Sequence, residues 1–176
     1  MGPSVGAPRW RWLEAWSDGP TGGICEFPVG VSGGADLVAD MNNVDNGKTD
    51  RFSEAPISRL IGFKVSPDVD GRTVVSLEAG EQHANPMGRV HGGVISALAD
   101  AAMGTAYGRV LLDEEDFSTI ELKVNFMRPV RLGQIVATAR VVQRGLRIGF
   151  LDCEIHDARG KLVATGTSTC MTLSLG

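Results

Sequence analysis

The 176-residue chain has only three cysteines, three histidines and a single tyrosine. An odd cysteine count with no CxxC pair argues against a disulfide framework and a thiolate zinc site, so Cys25, Cys153 and Cys170 read as free thiols. Positive charge is not in excess: the formal net charge is -4, which argues against general affinity for nucleic acid and leaves room only for a local anion site. No stretch approaches the roughly eighteen apolar residues of a membrane span, so no membrane insertion is expected. The N-terminus carries charges and Trp10, Trp12 and Trp16 where a signal peptide needs a continuous apolar segment, and a cytoplasmic protein is expected.

What is present is the balance of a soluble globular protein, 43% hydrophobic and 22% charged, at a length that suits one core. Residues 1–50 are dense in Gly, Pro, Asn and Asp ("DGPTGG", "VSGGADL", "NNVDNGKTD") and read as an irregular extension, with "RWRWLEAW" able to dock through its rings. Residues 51–176 read as one domain. A short helical piece around "SEAPISRLIG" leads to "FKVSPDV", the hairpin signal Asp70-Gly71, and "RTVVSLEA". Four further β-branched, alternating runs follow: "STIELKVNFMRPV", "GQIVATARVVQRG", "RIGFLDCEIHD" and "LVATGTSTCMTLSL". Their short connections predict an antiparallel meander.

Between the early hairpin and these strands lies one long helical run, about His91 to Leu112, apolar nearly all round. Such a helix is buried on most of its circumference, so a sheet must wrap it. The fold class is therefore α+β, one central helix wrapped by an antiparallel sheet of five to six strands. Gly93, Ala97, Gly104 and Gly108 form a small-residue face on that helix, open either to a second helix or to strands of the same sheet.

The run "NPMGRVHGGVISALADAAMGTAYGRVL" carries the chemistry. His91-Gly92-Gly93 stands at the helix start, where backbone N–H groups lack partners within the helix and the dipole favours negative charge. These groups can hold an anion, or a carbonyl oxygen becoming one. Asp100 is the one carboxylate in the run, fit to serve as general base or nucleophile, or to be satisfied structurally by Ser96 or Thr105. It lies eight residues beyond Gly92, or about 12 Å along the axis at about 1.5 Å per residue. If both groups serve one reaction, they come from two copies of the chain with antiparallel helices, which predicts an active site shared across a homodimer.

The set Asn85, Gly88, His91-Gly92-Gly93, Leu98 and Asp100, with "TIELKVNFMRP" and "HDARGKLVATGTST" after it, resembles the hotdog-fold acyl-CoA thioesterases over about residues 55 to 173. The nearest branch is the PaaI-like and 4-hydroxybenzoyl-CoA thioesterase superfamily. The resemblance implies a hydrolase that cleaves a CoA thioester to free acid and CoA, as a homodimer or a dimer of dimers (homotetramer). It gives Asp100 the role of base or nucleophile, Gly92 that of N–H donor to the thioester carbonyl, and Asn85 and Thr119 that of orienting the water, the thioester or the Asp. His91 fixes the loop that presents Gly92, and with Gly93 it belongs to the substrate-facing helix start. Arg128, Arg144 and Arg147 are candidates for the phosphates of coenzyme A, although Leu146 stands where the family often has Arg after the glycine. Val94, Leu98, Met103 and Phe126 are expected to line the acyl tunnel. No cofactor beyond the substrate's own CoA and no metal is implied; His83 and His156 read as surface or hairpin residues.

A non-catalytic acyl-CoA binding or regulatory module on the same fold is the alternative, against which the joint presence of Asn85, Gly92, Asp100 and Thr119 counts. A hydratase lacks its usual Asp and His arrangement here.

Overall fold

The structure, a computed structural model, describes residues 48–68 and 70–175. The expected extension over residues 1–47, with its tryptophans and Cys25, lies outside the described residues. The order of elements is α1 (Lys48–Ser53), α2 (Pro56–Ile61), β1 (Phe63–Val65), β2 (Thr73–Ala79), a 3-10 turn (Glu81–His83), α3 (Gly92–Arg109), β3 (Glu115–Phe126), β4 (Gly133–Arg144), β5 (Ile148–Asp157) and β6 (Leu162–Ser174). Helix α1 crosses the expected boundary at residue 50.

The strands form one six-stranded sheet in the order β1-β2-β4-β5-β6-β3, every pair antiparallel. Only β4, β5 and β6 form the expected meander. Strand β3 leaves its neighbour in sequence and pairs with β6 at the far edge, because α3 lies on the sheet and carries the chain across it. Between β1 and β2 the Asp70-Gly71 pair adopts the positive φ values, 52° and 68°, that a two-residue hairpin turn demands. Strand β1 is shorter than expected, since Ser66 to Asp68 turn aside toward the end of α3.

Alternation puts Val75, Leu77, Ile135, Ala137, Leu151, Cys153 and Ile155 on one face of the sheet, against Ile95, Leu98, Ala99, Ala102, Met103 and Tyr107 of α3. Leu98 and Met103 are fully buried in this core, so they do not line an open tunnel in this chain. The small-residue face of α3 meets rings of its own chain. A Cβ on Gly108 would fall 2.3 Å from the Phe52 ring of α1, and one on Gly104 would fall 3.5 Å from Phe117 of β3. Helix α3 stops three residues short of expectation, where a turn closed by Leu112 and Glu115, through backbone and carboxylate, reverses the chain into β3.

Candidate active site

The start of α3 is shaped by the loop before it. Asn85 Oδ1 accepts from the N–H groups of Met87 (3.0 Å) and Arg89 (3.1 Å), and the Asn85 N–H donates to the Arg89 carbonyl at 2.7 Å. Gly88, at φ 68°, permits this tight closure. The Asn85 carbonyl oxygen is therefore consumed by the loop, and its orientation is set by two donors. Its amide nitrogen has no partner among the described residues.

His91 is the N-cap. Its Nδ1 accepts from the Gly93 N–H at 2.9 Å, while the Val94 and Ile95 N–H groups donate to the His91 carbonyl at 3.0 and 3.2 Å. That leaves one of the early donors unused: among the described residues nothing accepts from the Gly92 N–H. Gly93, grouped with Gly92 in the sequence reading, has its N–H engaged by the cap. Over Gly92 lies the Phe126 ring, 3.3 Å from where a Cβ would stand.

A cavity of about 400 Å³ opens here, lined by Asn85, Arg89, Gly92, Phe126 and Arg128 among others. Its lining holds two arginines and no carboxylate, and neither arginine has an ion-pair partner among the described residues. Arg89 escaped the sequence reading, although its place in the turn closed by Asn85 was a usable signal. Of the three arginines proposed for phosphate, only Arg128 reaches this cavity. Arg144 is paired with Glu115, whose carboxylate also holds the Leu112 N–H, so it staples β4 to the start of β3. Arg147 lines a second cavity, also about 400 Å³, at the β4–β5 hairpin with Gln143, Leu146 and Phe150.

Farther along α3, Asp100 is half-buried, and Thr119 Oγ1 of β3 donates to its Oδ1 at 3.2 Å. Ser96 and Thr105 spend their hydroxyls on the helix carbonyls of Gly92 (3.0 Å) and Ala101 (2.7 Å) instead. Thr119 precedes a bulge in the β3–β6 register and stands opposite Cys170, whose Sγ is 3.9 Å from its hydroxyl. Burial pushes the Cys170 thiol above its ordinary value, and the Asp100 charge adds to this, which favours the protonated thiol.

The site residues thus form two groups within one chain: Gly92, Asn85, Arg89, Arg128 and Phe126 at the helix start, and Asp100 with Thr119 about two turns later. Strand β3, an edge of the sheet, joins them, with Ile120, Leu122 and Phe126 exposed along it. His83, expected at the surface or in a hairpin, is buried at the end of the 3-10 turn instead: its ring bonds the Gly80 N–H and the Ile61 carbonyl.

A sequence model of the Thioesterase superfamily matches residues 87–164, the span from the Asn85 loop into β6. A Pseudomonas aeruginosa relative carrying an esterase name is 31% identical over 129 residues, covering 72% of this chain and 96% of its own length. Human acyl-coenzyme A thioesterase 13 is 30% identical over 103 residues, 56% of this chain and 71% of its own. Among solved structures, a Ralstonia eutropha thioesterase titled as related to phenylacetic acid degradation superposes with a TM-score of 0.65 at 30% identity. It covers 72% of this chain and 99% of its own.

Proposed function

This chain belongs to the thioesterase superfamily of hotdog-fold thioester hydrolases, and from that premise we propose that it is an acyl-CoA thioesterase whose active site is shared between two copies. The observation that carries the reading is the separation of the Gly92 N–H, which has no acceptor among the described residues, from the half-buried Asp100 carboxylate on the same helix. At about 1.5 Å per residue the two stand about 12 Å apart, too far to act on one carbonyl. A two-fold axis that sets two α3 helices antiparallel removes the difficulty, and the long edge of β3 with its exposed apolar side chains supports such pairing.

In this reading the thioester carbonyl accepts from Gly92 of one chain. Asp100 of the other takes a proton from water as the water attacks, or attacks the carbonyl itself. Thr119 holds Oδ1, which leaves Oδ2 to do the chemistry. The tetrahedral oxyanion forms against the N–H and the positive end of the helix, then collapses with loss of the CoA thiolate; where water attacked this gives the free acid, and where Asp100 attacked, water then cleaves the acyl-aspartyl anhydride to the same acid. Arg89 and Arg128, free of carboxylate partners among the described residues, meet the anionic part of coenzyme A, and the Asn85 amide nitrogen faces the thioester or the water. The enzyme works in the cytoplasm, as a homodimer or homotetramer, with no cofactor besides the CoA of its substrate; no helix among the described residues is long and apolar enough to cross a membrane.

Asp100→Asn should lower steady-state hydrolysis of acyl-CoAs by about 10³-fold, read as free-thiol release over aromatic, short, medium and long acyl groups. Gly92→Pro removes the N–H while suiting the helix, since proline is favoured at the first helical position and His91 already has ψ 138°. Mixed dimers of the two inactive variants should regain activity, because one of their two sites is then intact. Failure of complementation, with mixed dimers present, means the groups do not act across chains. Full activity of Asp100→Asn removes the base.

A further inference from the structure

We infer that His83, which the chemistry never touches, is the positioning residue that holds the oxyanion donor in place; the inference rests on the reading of Gly92 given above. His83 ends the 3-10 turn and is only 5% exposed. Its Nδ1 accepts from the Gly80 N–H at 3.0 Å, so the ring proton sits on Nε2, which donates to the Ile61 carbonyl at 2.9 Å. Ile61 is the last residue of α2. The His83 carbonyl then accepts from the His91 N–H at 2.9 Å, and Ala84 and Val90 form an isolated antiparallel bridge just inside.

Residues 83 to 91 are therefore a loop closed at its base, and the closure passes directly to the N-cap. Inside it the Asn85 side chain holds Met87 and Arg89 without outside help. These bonds set the loop's internal shape, and its contacts with the rest of the domain set where it sits. Beside the burial of Val90 in the core, two hydrogen bonds do that: the Val90 N–H to the Val130 carbonyl at 3.0 Å, and the His83 ring to Ile61. The two imidazole nitrogens have separate tasks, Nδ1 completing the local turn and Nε2 making the tertiary tether. Loss of the tether frees one side of the base, and the peptide between His91 and Gly92, at the junction of the loop with α3, loses its fixed orientation while α3 itself stays in place. Displacements of about 1 Å in such sites lower turnover by up to about 10²-fold.

Two substitutions divide the tasks. The carboxamide of His83→Asn reaches as far as Nδ1 and retains the bond to Gly80; that of His83→Gln reaches as far as Nε2 and retains the bond to Ile61. For His83→Asn we expect kcat to fall by about tenfold or more with KM changed by less than about twofold. His83→Gln should hold kcat within about threefold. Hydrogen exchange should accelerate at the Val90 and His91 amides in His83→Asn alone, while the core amides of Leu151 and Ile155 keep wild-type protection. Equal kcat in both variants, or unchanged exchange at Val90 and His91 in His83→Asn, overturns the assignment. If the wild type cleaves no acyl-CoA, the proposed function fails, and the exchange measurement still decides whether His83 tethers the loop.

Discussion

The two ends of α3 are built to opposite specifications. At the C-terminal end Arg109 is 7% exposed and bonds Asp68, Thr73 Oγ1 at 2.9 Å and the Ser66 carbonyl at 2.9 Å, so a cation closes the helix terminus and clamps the β1–β2 loop. The Tyr107 hydroxyl shares a 2.7 Å hydrogen bond with Thr172, and its ring meets Phe117 edge-on with centroids 5.5 Å apart. At the N-terminal end one backbone donor is unused, two arginines lack carboxylates among the described residues, and Phe126 is 54% exposed. Stability is concentrated where nothing reacts. Polar groups without partners among the described residues are concentrated where a ligand would satisfy them, since a group already bonded has little left to offer a transition state.

The sharpest way to break this contrast is to cut the clamp. Arg109→Met should cost about 2–3 kcal/mol, below the value for a wholly buried pair because Asp68 remains 40% exposed, and lower Tm by about 5–10 °C. Hydrolysis by the protein still folded should be unchanged, as measured by urea titration beside thiol release; equal stability and lost turnover would reverse the roles of the two ends. A smaller effect is expected at the open end. Arg89→Ala and Arg128→Ala should each raise KM about tenfold at low salt, with the difference shrinking as salt rises, and leave Tm unchanged. An unaltered KM in the double variant would detach this cavity from the coenzyme.

The smallest effect tests the core between the ends. Burial pushes the Cys153 thiol up to about 12 from an ordinary 9.0, so the folded protein keeps a proton that the unfolded chain releases. The stability contributed by this thiol is complete below pH 9.0 and declines as pH rises toward 12. Cys170, raised in the same direction, adds to the decline. Urea midpoints from pH 7 to pH 10.5 should show the fall, and Cys153→Ala should flatten it; an equal slope in the variant assigns the dependence elsewhere.

Much of this architecture is legible in the sequence. Strand periodicity located β2, β4, β5 and β6 closely, and Asp70-Gly71 marked its turn, because alternation and turn chemistry are local properties. The helix start with His91 and Gly92 was equally legible, as was Asp100 as the odd residue in an apolar helix. His83 was misread because nothing local separates a histidine whose two nitrogens meet Gly80 and Ile61 from one facing water. The pairing of Arg144 with Glu115 was not legible because the two lie 29 residues apart in the chain.

By itself the sequence determined the long helix and the main strands, their faces, and the spacing along one helix that keeps Asp100 from the Gly92 of its own chain. Those follow from fixed repeats of the backbone: two residues in a strand, 3.6 in a helix. Only the tertiary structure decided that β3 lies at the sheet's edge, that Thr119 is the hydroxyl on Asp100, that the cap engages Gly93 but leaves Gly92 open, and that Arg89 joins Arg128. Each of these is a pairing made by packing and chain closure in three dimensions, and no repeat along the chain encodes which partner a polar group will find.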